Sequence, residues 1–243
     1  MIAFGITDKG IVRPQNEDSF RLLLAPDGRS GVAVLCDGMG GEQSGEIASA
    51  LAADAFVSYA EEGLRLSPDS DCAQIARESV SYANLQVYDR AMRDRSCRGM
   101  GTTLVGVVWR EEDIAVVNVG DSRCYWFADG YIQQVTRDHS FVQELIDNGT
   151  ITPGEARSHP HRNLITRALG LERQMRSDIF RLDTAEGDKL LLCSDGLSNV
   201  VGEEELLSLT NAASSLENAA EVLLALALER GAPDNVTVLL LKR

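Results

Sequence analysis

Hydrophobic residues follow two different spacings along this chain, and the spacing changes with position. Residues 47–59 and 76–91 place apolar side chains three or four positions apart, which predicts two helices with one buried face each. Residues 103–127 instead contain short runs rich in valine and aromatic residues, which predict strands. The sequence Asp129-Gly130 then favours a hairpin turn, because both of its positions tolerate positive φ angles.

Later segments show both kinds of pattern. Residues 141–147 predict a short helix ended by Gly149, and a capping box at Ser214–Glu217 predicts the start of a final helix, which ends before Gly231 and Pro233. Apolar runs predict the strands, which are residues 32–36, 103–109, 114–119, 123–127, 175–182, 189–193 and 236–241. This order of elements indicates an α+β fold with helices outside a β-sandwich.

The composition is that of a globular protein of 243 residues, with 44% hydrophobic and 25% charged residues. A net charge of −14 argues against nucleic acid as a partner, because phosphate backbones require a basic surface. The five cysteines have no framework spacing and are interpreted as reduced thiols. The sequence shows neither a secretory signal nor an apolar run of membrane-spanning length, so we expect a cytoplasmic protein without a membrane partner.

Five carboxylates stand where strands end or turns begin, each beside a glycine, an asparagine or another acid. They are Asp18, Asp37, Asp121, Asp195 and Asp234. If the fold gathers them, they repel one another strongly unless divalent cations lie among them. Oxygen ligands without paired cysteine and histidine favour Mg²⁺ or Mn²⁺ over Zn²⁺. The sequence therefore predicts a site for hard divalent metal ions.

Two kinds of nucleophilic site are tested by position. A cysteine nucleophile requires an arginine six residues further on, and none of the five cysteines has one. An aspartyl nucleophile requires an Asp-x-Asp sequence at a strand end, whereas Asp69-Ser70-Asp71 follows a polar stretch and is interpreted as a helix cap. The three histidines, His139, His159 and His161, are interpreted as surface or hydrogen-bonded residues.

Six short segments occur in the order and at the spacing of a known family. They are Arg13–Ser19, Asp37–Gly41, Gly101–Thr103, Gly120–Arg123, Ser194–Leu197 and Asp234–Thr237. Together they closely resemble the type 2C metal-dependent Ser/Thr protein phosphatases, the PPM family, in their compact bacterial form. The resemblance extends from Gly5 to Leu241. It implies an αββα sandwich of four layers, in which two antiparallel sheets are flanked by helix pairs. It also implies one domain over residues 1–243, with a flap at about residues 147–167 that borders the active-site cleft.

The same resemblance implies a set of metal ligands. Asp37 would bridge two metal ions, and the carbonyl group of Gly38 would complete the coordination of one of them. Asp195 and Asp234 would bind the other. Asp121, together with Asp195, would hold the third and weaker metal ion of bacterial members. Two to three Mn²⁺ or Mg²⁺ ions are therefore the implied cofactors.

Three further residues receive roles from the resemblance. Glu17 and Asp18 would contact metal-bound waters, and Arg13 would bind the substrate phosphate through its planar guanidinium group. A hydroxide that bridges the metal ions would attack phosphorus in line, without a covalent phosphoenzyme. The implied substrates are Ser/Thr-phosphorylated proteins, including a cognate Ser/Thr kinase or its substrates, and a monomer is the expected state.

Two alternatives stay open from the sequence. Met39 occupies the position at which eukaryotic members carry histidine, so the proton donor is either a metal-bound water or, as a second choice, His159 or His161. A catalytically inactive relative that serves as a binding or regulatory module is the other interpretation of the chain. The complete set of implied ligands argues against it.

Overall fold

Two antiparallel β-sheets pack face to face, and helices cover the outer side of each sheet. This arrangement is seen in a computed structural model that describes residues 1–40, 44–67 and 70–243. Gly41, from the second matched segment, and Asp69, from the predicted cap, lie outside the described residues. The two sheets and their helices confirm the predicted α+β sandwich.

Strands and helices follow one another in blocks along the chain rather than in strict alternation. The strands are β1 (Ile2–Asp8), β2 (Asp18–Leu24), β3 (Ser30–Met39), β4 (Gly101–Thr102), β5 (Leu104–Arg110), β6 (Asp113–Val119), β7 (Arg123–Ala128), β8 (Tyr131–Gln134), β9 (Asp178–Leu182), β10 (Lys189–Cys193) and β11 (Val236–Lys242). The α-helices are α1 (Ser44–Leu66), α2 (Cys72–Arg93), α3 (Phe141–Asp147), α4 (Pro153–Ala156), α5 (Asp195–Ser198), α6 (Glu203–Ala212) and α7 (Leu216–Glu229).

One sheet has the strand order β1-β11-β10-β7-β8, and the other has the order β2-β3-β5-β6-β9, with the short β4 paired to β3. Helices α1 and α2 pack on the outer face of the second sheet. Helices α5, α6 and α7 pack on the first sheet. Residues 147–167, the predicted flap, contain α4 and a series of turns between α3 and β9.

Strand β3 shows why the central strands appear as continuous apolar runs in the sequence. Its residues Val34 and Cys36 belong to the cluster under α1, which also contains Phe56. The alternate residues Ala33 and Leu35 belong to the cluster between the two sheets. Successive side chains of a strand point to opposite faces, so a strand covered on both faces is apolar throughout.

Strand β11 is buried in the same way in the other sheet. Val238 and Leu240 pack with Leu223 of α7, whereas Leu239 and Leu241 lie in the layer between the sheets. This inner layer holds the two sheets together. It thereby fixes where the loops at each end of the sandwich meet.

Several local predictions are confirmed. The hairpin between β7 and β8 has Asp129 and Gly130 at φ angles of 49° and 79°, as the turn sequence predicts. Helix α3 has the predicted bounds, Phe141–Asp147. Asp71 caps α2 by accepting a hydrogen bond from the backbone N–H of Gln74.

Two predicted strand boundaries and one predicted capping box were wrong. Strand β3 continues beyond residue 36, because Gly38 and Met39 pair with β4. Strand β9 begins at Asp178 rather than at residue 175. The predicted capping box does not form, because α7 is capped by Ser215, whose Oγ accepts a hydrogen bond from the backbone N–H of Asn218 at 3.0 Å.

Strands β1 and β2 and helix α6 had no sequence prediction. Both strands lie at sheet edges, and most of their residues are half-buried. Their mixed polarity therefore obscures the alternation that identifies a strand. No helix formed by the described residues is both long enough and apolar enough to cross a bilayer.

Replacing Phe56 by alanine tests the packing of α1 on the second sheet. Phe56 is fully buried, and its ring lies 3.0 Å from the position of a β-carbon on Gly106. We expect Phe56→Ala to lower the free energy of unfolding by about 3–5 kcal/mol, because the neighbouring strand cannot move in to fill the cavity. Urea unfolding measures the change. Leu66→Ala, on the same helix but 57% exposed, is the control, and equal losses in both variants would contradict this packing.

Candidate metal centre

The five acids lie at one end of the sandwich because antiparallel pairing brings alternate strand ends to the same edge. Asp18 begins β2 and stands opposite Asp37 near the end of β3. Asp195 directly follows the N-cap of α5 after β10, and Asp234 precedes β11, the partner of β10. Asp121 lies between β6 and β7, and β7 pairs with the other side of β10.

Asp18 connects the two sheets at this end. It is buried, and its Oδ2 accepts hydrogen bonds from Ser194 Oγ at 2.8 Å and Thr237 Oγ1 at 2.6 Å. Both donors belong to the other sheet or its adjoining turn. Its second oxygen, Oδ1, is buried and has no hydrogen-bond partner among the described residues.

Asp37 is held through its backbone, which leaves its carboxylate free for other contacts. Its N–H donates to Thr103 Oγ1 at 3.0 Å, and its carbonyl oxygen accepts from Thr102 Oγ1 and from the backbone N–H of Thr103, both at 2.9 Å. The next residue must be glycine, because a β-carbon on Gly38 would lie 2.1 Å from the carbonyl oxygen of Gly45 at the start of α1.

Asp195 is the first residue of the short helix α5. Its Oδ2 accepts a hydrogen bond from Asn199 Nδ2 at 3.1 Å, one helical turn later. Its Oδ1 is buried without a partner among the described residues, as is Oδ1 of Asp18. Two acids of the group thus each have one buried oxygen available to a ligand.

Asp234 and Arg13 are in direct contact. The guanidinium Nη2 of Arg13 donates to Asp234 Oδ2 at 2.7 Å, and about half of the Arg13 side chain stays exposed. This hydrogen bond raises the pKa of the Arg13 guanidinium. A predicted phosphate-binding group and a predicted metal ligand therefore share one edge of the site.

Asn235 organises the loop before β2, a role that was not predicted from the sequence. Its Oδ1 accepts from the backbone N–H of Glu17 at 2.8 Å, and its Nδ2 donates to the carbonyl oxygens of Lys9 and Gln15, both at 2.9 Å. The buried Asn235 side chain thereby holds the loop that carries Arg13 and Glu17. The sequence signal for this role was that Asn235 stands next to Asp234 in one of the six segments that resemble the family.

His139 was also missed as part of the site's support. Its Nδ1 accepts from the backbone N–H of Gly120 at 3.1 Å, immediately before Asp121. Since Nδ1 is an acceptor, a neutral ring carries its proton on Nε2, which lies 3.2 Å from Asp178 Oδ2. His139 is buried and hydrogen-bonded, in keeping with the prediction for the histidines. No sequence spacing links it to the turn that it supports.

The acids share one electrostatic environment. Burial first, and then the charges of neighbouring acids, raise the pKa of Asp18 to about 7, of Asp121 to about 8 and of Asp195 to about 6. The same causes raise the pKa of Asp37 well above its usual range. Burial also raises the pKa of Glu17.

This environment fits a divalent metal centre. Among the described residues, no three Asp, Glu, His or Cys side chains form a closed ligand group, although the acids raise one another's pKa values. Like charges repel when no cation lies between them, so these carboxylates stay apart. The donor set consists of oxygen atoms, two of them buried and unpartnered, as Mg²⁺ and Mn²⁺ require.

All eight residues singled out in the sequence lie in this region of the structure. Each of seven residues is linked to another of the seven by a hydrogen bond, by strand pairing or by the effect of its charge on a neighbour's pKa. The seven are Arg13, Glu17, Asp18, Asp37, Asp121, Asp195 and Asp234. The eighth is Gly38, whose N–H donates to the carbonyl oxygen of Glu17 at 3.1 Å. Their individual roles stay predictions.

Comparisons with known proteins identify the family. The family model for protein phosphatase 2C matches residues 13–231. The serine/threonine phosphatase stp of Listeria welshimeri is 35% identical over 237 residues, which cover 98% of this chain and 94% of that protein. The crystal structure of the Mycobacterium tuberculosis serine/threonine phosphatase PstP/Ppp superposes with a TM-score of 0.88 and 36% identity, covering 98% of this chain and 97% of that one.

A further similar structure contains metal ions. It is the catalytic domain of the serine/threonine protein phosphatase PstP in complex with two manganese ions, with a TM-score of 0.83 and 35% identity, covering 98% of this chain and 96% of that one. The chain belongs to the protein phosphatase 2C family. It is a serine/threonine protein phosphatase that depends on divalent metal ions. The predicted activity is therefore confirmed, and the comparisons do not support the catalytically inactive alternative.

The raised pKa values predict how stability changes with pH when metal is removed. The folded protein holds protons on Asp18, Asp121 and Asp195 above the unfolded value of 3.8, so the stability that they contribute is complete below about pH 4 and is lost as pH rises to about 8. In chelator, urea unfolding should therefore show stability falling over this range. Saturating Mn²⁺ at pH 8 should restore it, by about 2.7 kcal/mol at one hundred times its Kd.

A variant isolates this contribution from other titrating groups. Burial lowers the pKa of His139, which adds a slope of opposite sign below about pH 6.5. The informative quantity is therefore the difference between wild type and Asp195→Asn, which should show a shallower loss of stability between about pH 4 and 6. Parallel curves for the two proteins would contradict the raised pKa of Asp195.

Proposed function

We propose that the eight residues form a centre for two or three divalent metal ions that hydrolyses phosphoserine and phosphothreonine in proteins. Asp37, with the carbonyl group of Gly38, would hold two ions, and Asp195 and Asp234 would complete the main pair. Asp121, whose charge acts on Asp37, would hold a third ion with Asp195. The observation that carries the proposal is the convergence of five carboxylates from both sheets at one end of the sandwich.

Bound divalent ions lower the pKa of coordinated water and neutralise charge on the phosphoryl oxygens. The chain's own groups act around them. Arg13 is half exposed and presents a planar fork that matches two phosphoryl oxygens, so it would orient the phosphate for in-line attack by water. Asp18 and Glu17, at the base of the same loop, would orient that water by accepting its hydrogen bonds. No covalent phosphoenzyme is needed.

The proton for the leaving alkoxide is proposed to come from water. Met39 has no proton to donate. His159 and His161 pack against Phe141, with ring centroids 5.9 Å and 6.0 Å from its ring, and His159 Nδ1 accepts from the backbone N–H of His161. Both histidines thus have neighbours of their own near α3, which supports water as the donor and leaves the histidines as the second choice.

We further propose a manganese-dependent enzyme in a reducing compartment. Manganese is supported by its presence in the similar PstP structure, with Mg²⁺ as the alternative. The five cysteines are buried and form no disulfide, which supports a reducing, cytoplasmic location. We propose one catalytic domain over residues 1–243, acting as a monomer against a cognate Ser/Thr kinase or its substrates, with residues 147–167 as a flap beside the cleft.

Neutralising a metal ligand tests the centre directly. Asp37→Asn and Asp195→Asn keep the side-chain shape but remove a charge that a cation requires. We expect each to lower Mn²⁺-dependent turnover of a phosphothreonine peptide and of p-nitrophenyl phosphate by at least about 10²-fold, with weaker Mn²⁺ binding in calorimetry. Asp129→Asn is the matched control, because Asp129 is exposed in a hairpin turn that asparagine also tolerates. Wild-type turnover in Asp195→Asn would refute the assignment.

Arg13 is tested separately from the metal ligands. We expect Arg13→Ala to lower kcat/KM about 10- to 100-fold while Mn²⁺ binding is retained, because charge-assisted hydrogen bonds to the phosphate are lost. Arg13→Lys should recover only part, since lysine lacks the planar fork. Arg21→Ala is the control, because Arg21 also pairs with an aspartate, Asp54, at 2.7 Å. An unchanged kcat/KM in Arg13→Ala would exclude phosphate binding by Arg13.

A further inference from the structure

Residues 157–176 have a charge opposite to that of the rest of the molecule. They contain five of the chain's 23 basic residues but one of its 37 acidic residues, in a protein of net charge −14. The basic residues are Arg157, Arg162, Arg167, Arg173 and Arg176, and all five are exposed. The net charge of the whole chain conceals this local reversal, which was not predicted from the sequence.

Part of this basic charge is available to a partner. Arg167 pairs with Asp178 at 3.1 Å, so its charge is partly neutralised. Within the described ranges, Arg173 and Arg176 form no ion pair. Glu172 is the one carboxylate of the segment. Two exposed guanidinium groups therefore face solvent without a counter-charge of their own.

The same segment forms a groove on the surface. The groove has a volume of about 490 Å³, and Arg167, Arg176 and one acid, Glu172, line it together with Leu171, Gln174 and Met175. Leu171 is 51% exposed although it is a large apolar residue. Two guanidinium groups against one carboxylate give the groove an excess of positive charge, and Arg173 directly follows Glu172 in the chain. This partly apolar surface suits an extended peptide that carries negative charge.

The groove begins beside the metal centre. Leu169 pairs with Thr102 in an isolated bridge, and the Thr102 side chain donates to the carbonyl oxygen of Asp37 at 2.9 Å. Met39 Cε and Leu171 Cδ2 lie 2.8 Å and 3.3 Å from the position of a β-carbon on Gly101, so the two side chains are neighbours. A peptide whose phosphate sits at the metal centre can therefore extend past Met39 into the groove.

We propose that this groove, which we call the basic groove, binds the substrate segment next to the phosphorylated residue and selects acidic side chains there. The inference rests on the proposed function, because it assigns a sequence preference to that reaction. The net charge of −14 alone would instead favour basic phosphopeptides by long-range steering. Contacts within the groove act at shorter range than the Debye length, so they decide the preference once the peptide is bound.

Three phosphothreonine peptides of equal length test the proposal, with acidic, neutral or basic residues on both sides of the phosphothreonine. Turnover is measured with Mn²⁺ for wild type, for Arg176→Glu and for the milder Arg173→Gln/Arg176→Gln. Arg65→Glu is the matched control for the single charge reversal. Arg65 lies in the last turn of α1, a helix of 23 residues. The first turn of this helix is at the site, and the helix is about 34 Å long, so Arg65 lies far from the site. p-Nitrophenyl phosphate, which has no flanking segment, reports on the metal centre alone.

We expect wild type to favour the acidic over the neutral peptide by about three- to tenfold in kcat/KM at low salt, as two exposed ion pairs would provide. The preference should disappear in both groove variants and at 0.5 M salt, and persist in Arg65→Glu. Turnover of p-nitrophenyl phosphate should be the same in all four proteins. A basic peptide preferred by wild type, or an acidic preference that survives in both groove variants, would overturn the proposal. Wild type that fails to hydrolyse p-nitrophenyl phosphate would instead contradict the proposed function, and this inference with it.

Discussion

The convergence of several carboxylates at one end of a β-sandwich, with Asp18 buried and Asp37, Asp121 and Asp195 half-buried, is the constraint on which the rest of the structure depends. Asp18 is the clearest case, because a fully enclosed acid between two sheets accepts hydrogen bonds from the opposite sheet and still keeps one oxygen unpartnered. Burial and mutual repulsion oppose ionisation of the group. Such an arrangement persists only where packing elsewhere is strong enough to impose it. The apolar layer between the sheets and the helices outside them provide that packing.

The loops of the site are held by individual side chains rather than by regular structure. Asn235 ties together the backbone of residues 9–17, and His139 supports the turn before Asp121. Both are buried, so each hydrogen bond that they make replaces one that water cannot supply. Precise loops on a rigid sandwich are what a reaction based on positioning and charge requires.

Charge is distributed unevenly over the molecule. The acids cluster at the metal centre, where cations compensate them, whereas residues 157–176 carry a local excess of arginine. The two regions meet near Met39 and Leu171. A net charge summed over the whole chain cannot describe what a substrate meets at that boundary, because contacts at short range are screened much less than the long-range field.

The sequence by itself determined the sandwich, the position of its central strands and the acids near their ends. Strands such as β3 and β11 are apolar on both faces because both faces are buried. The end of β3 was missed because Gly38 and Met39 continue the strand by pairing with β4. Edge strands β1 and β2 escaped detection because they are buried on fewer sides. Only the tertiary structure decided that Arg13 contacts Asp234, that Asn235 and His139 support the loops, and that a basic groove adjoins Met39. These contacts join residues far apart in the chain through single hydrogen bonds or shared surfaces, and such contacts leave no periodic signal in the sequence.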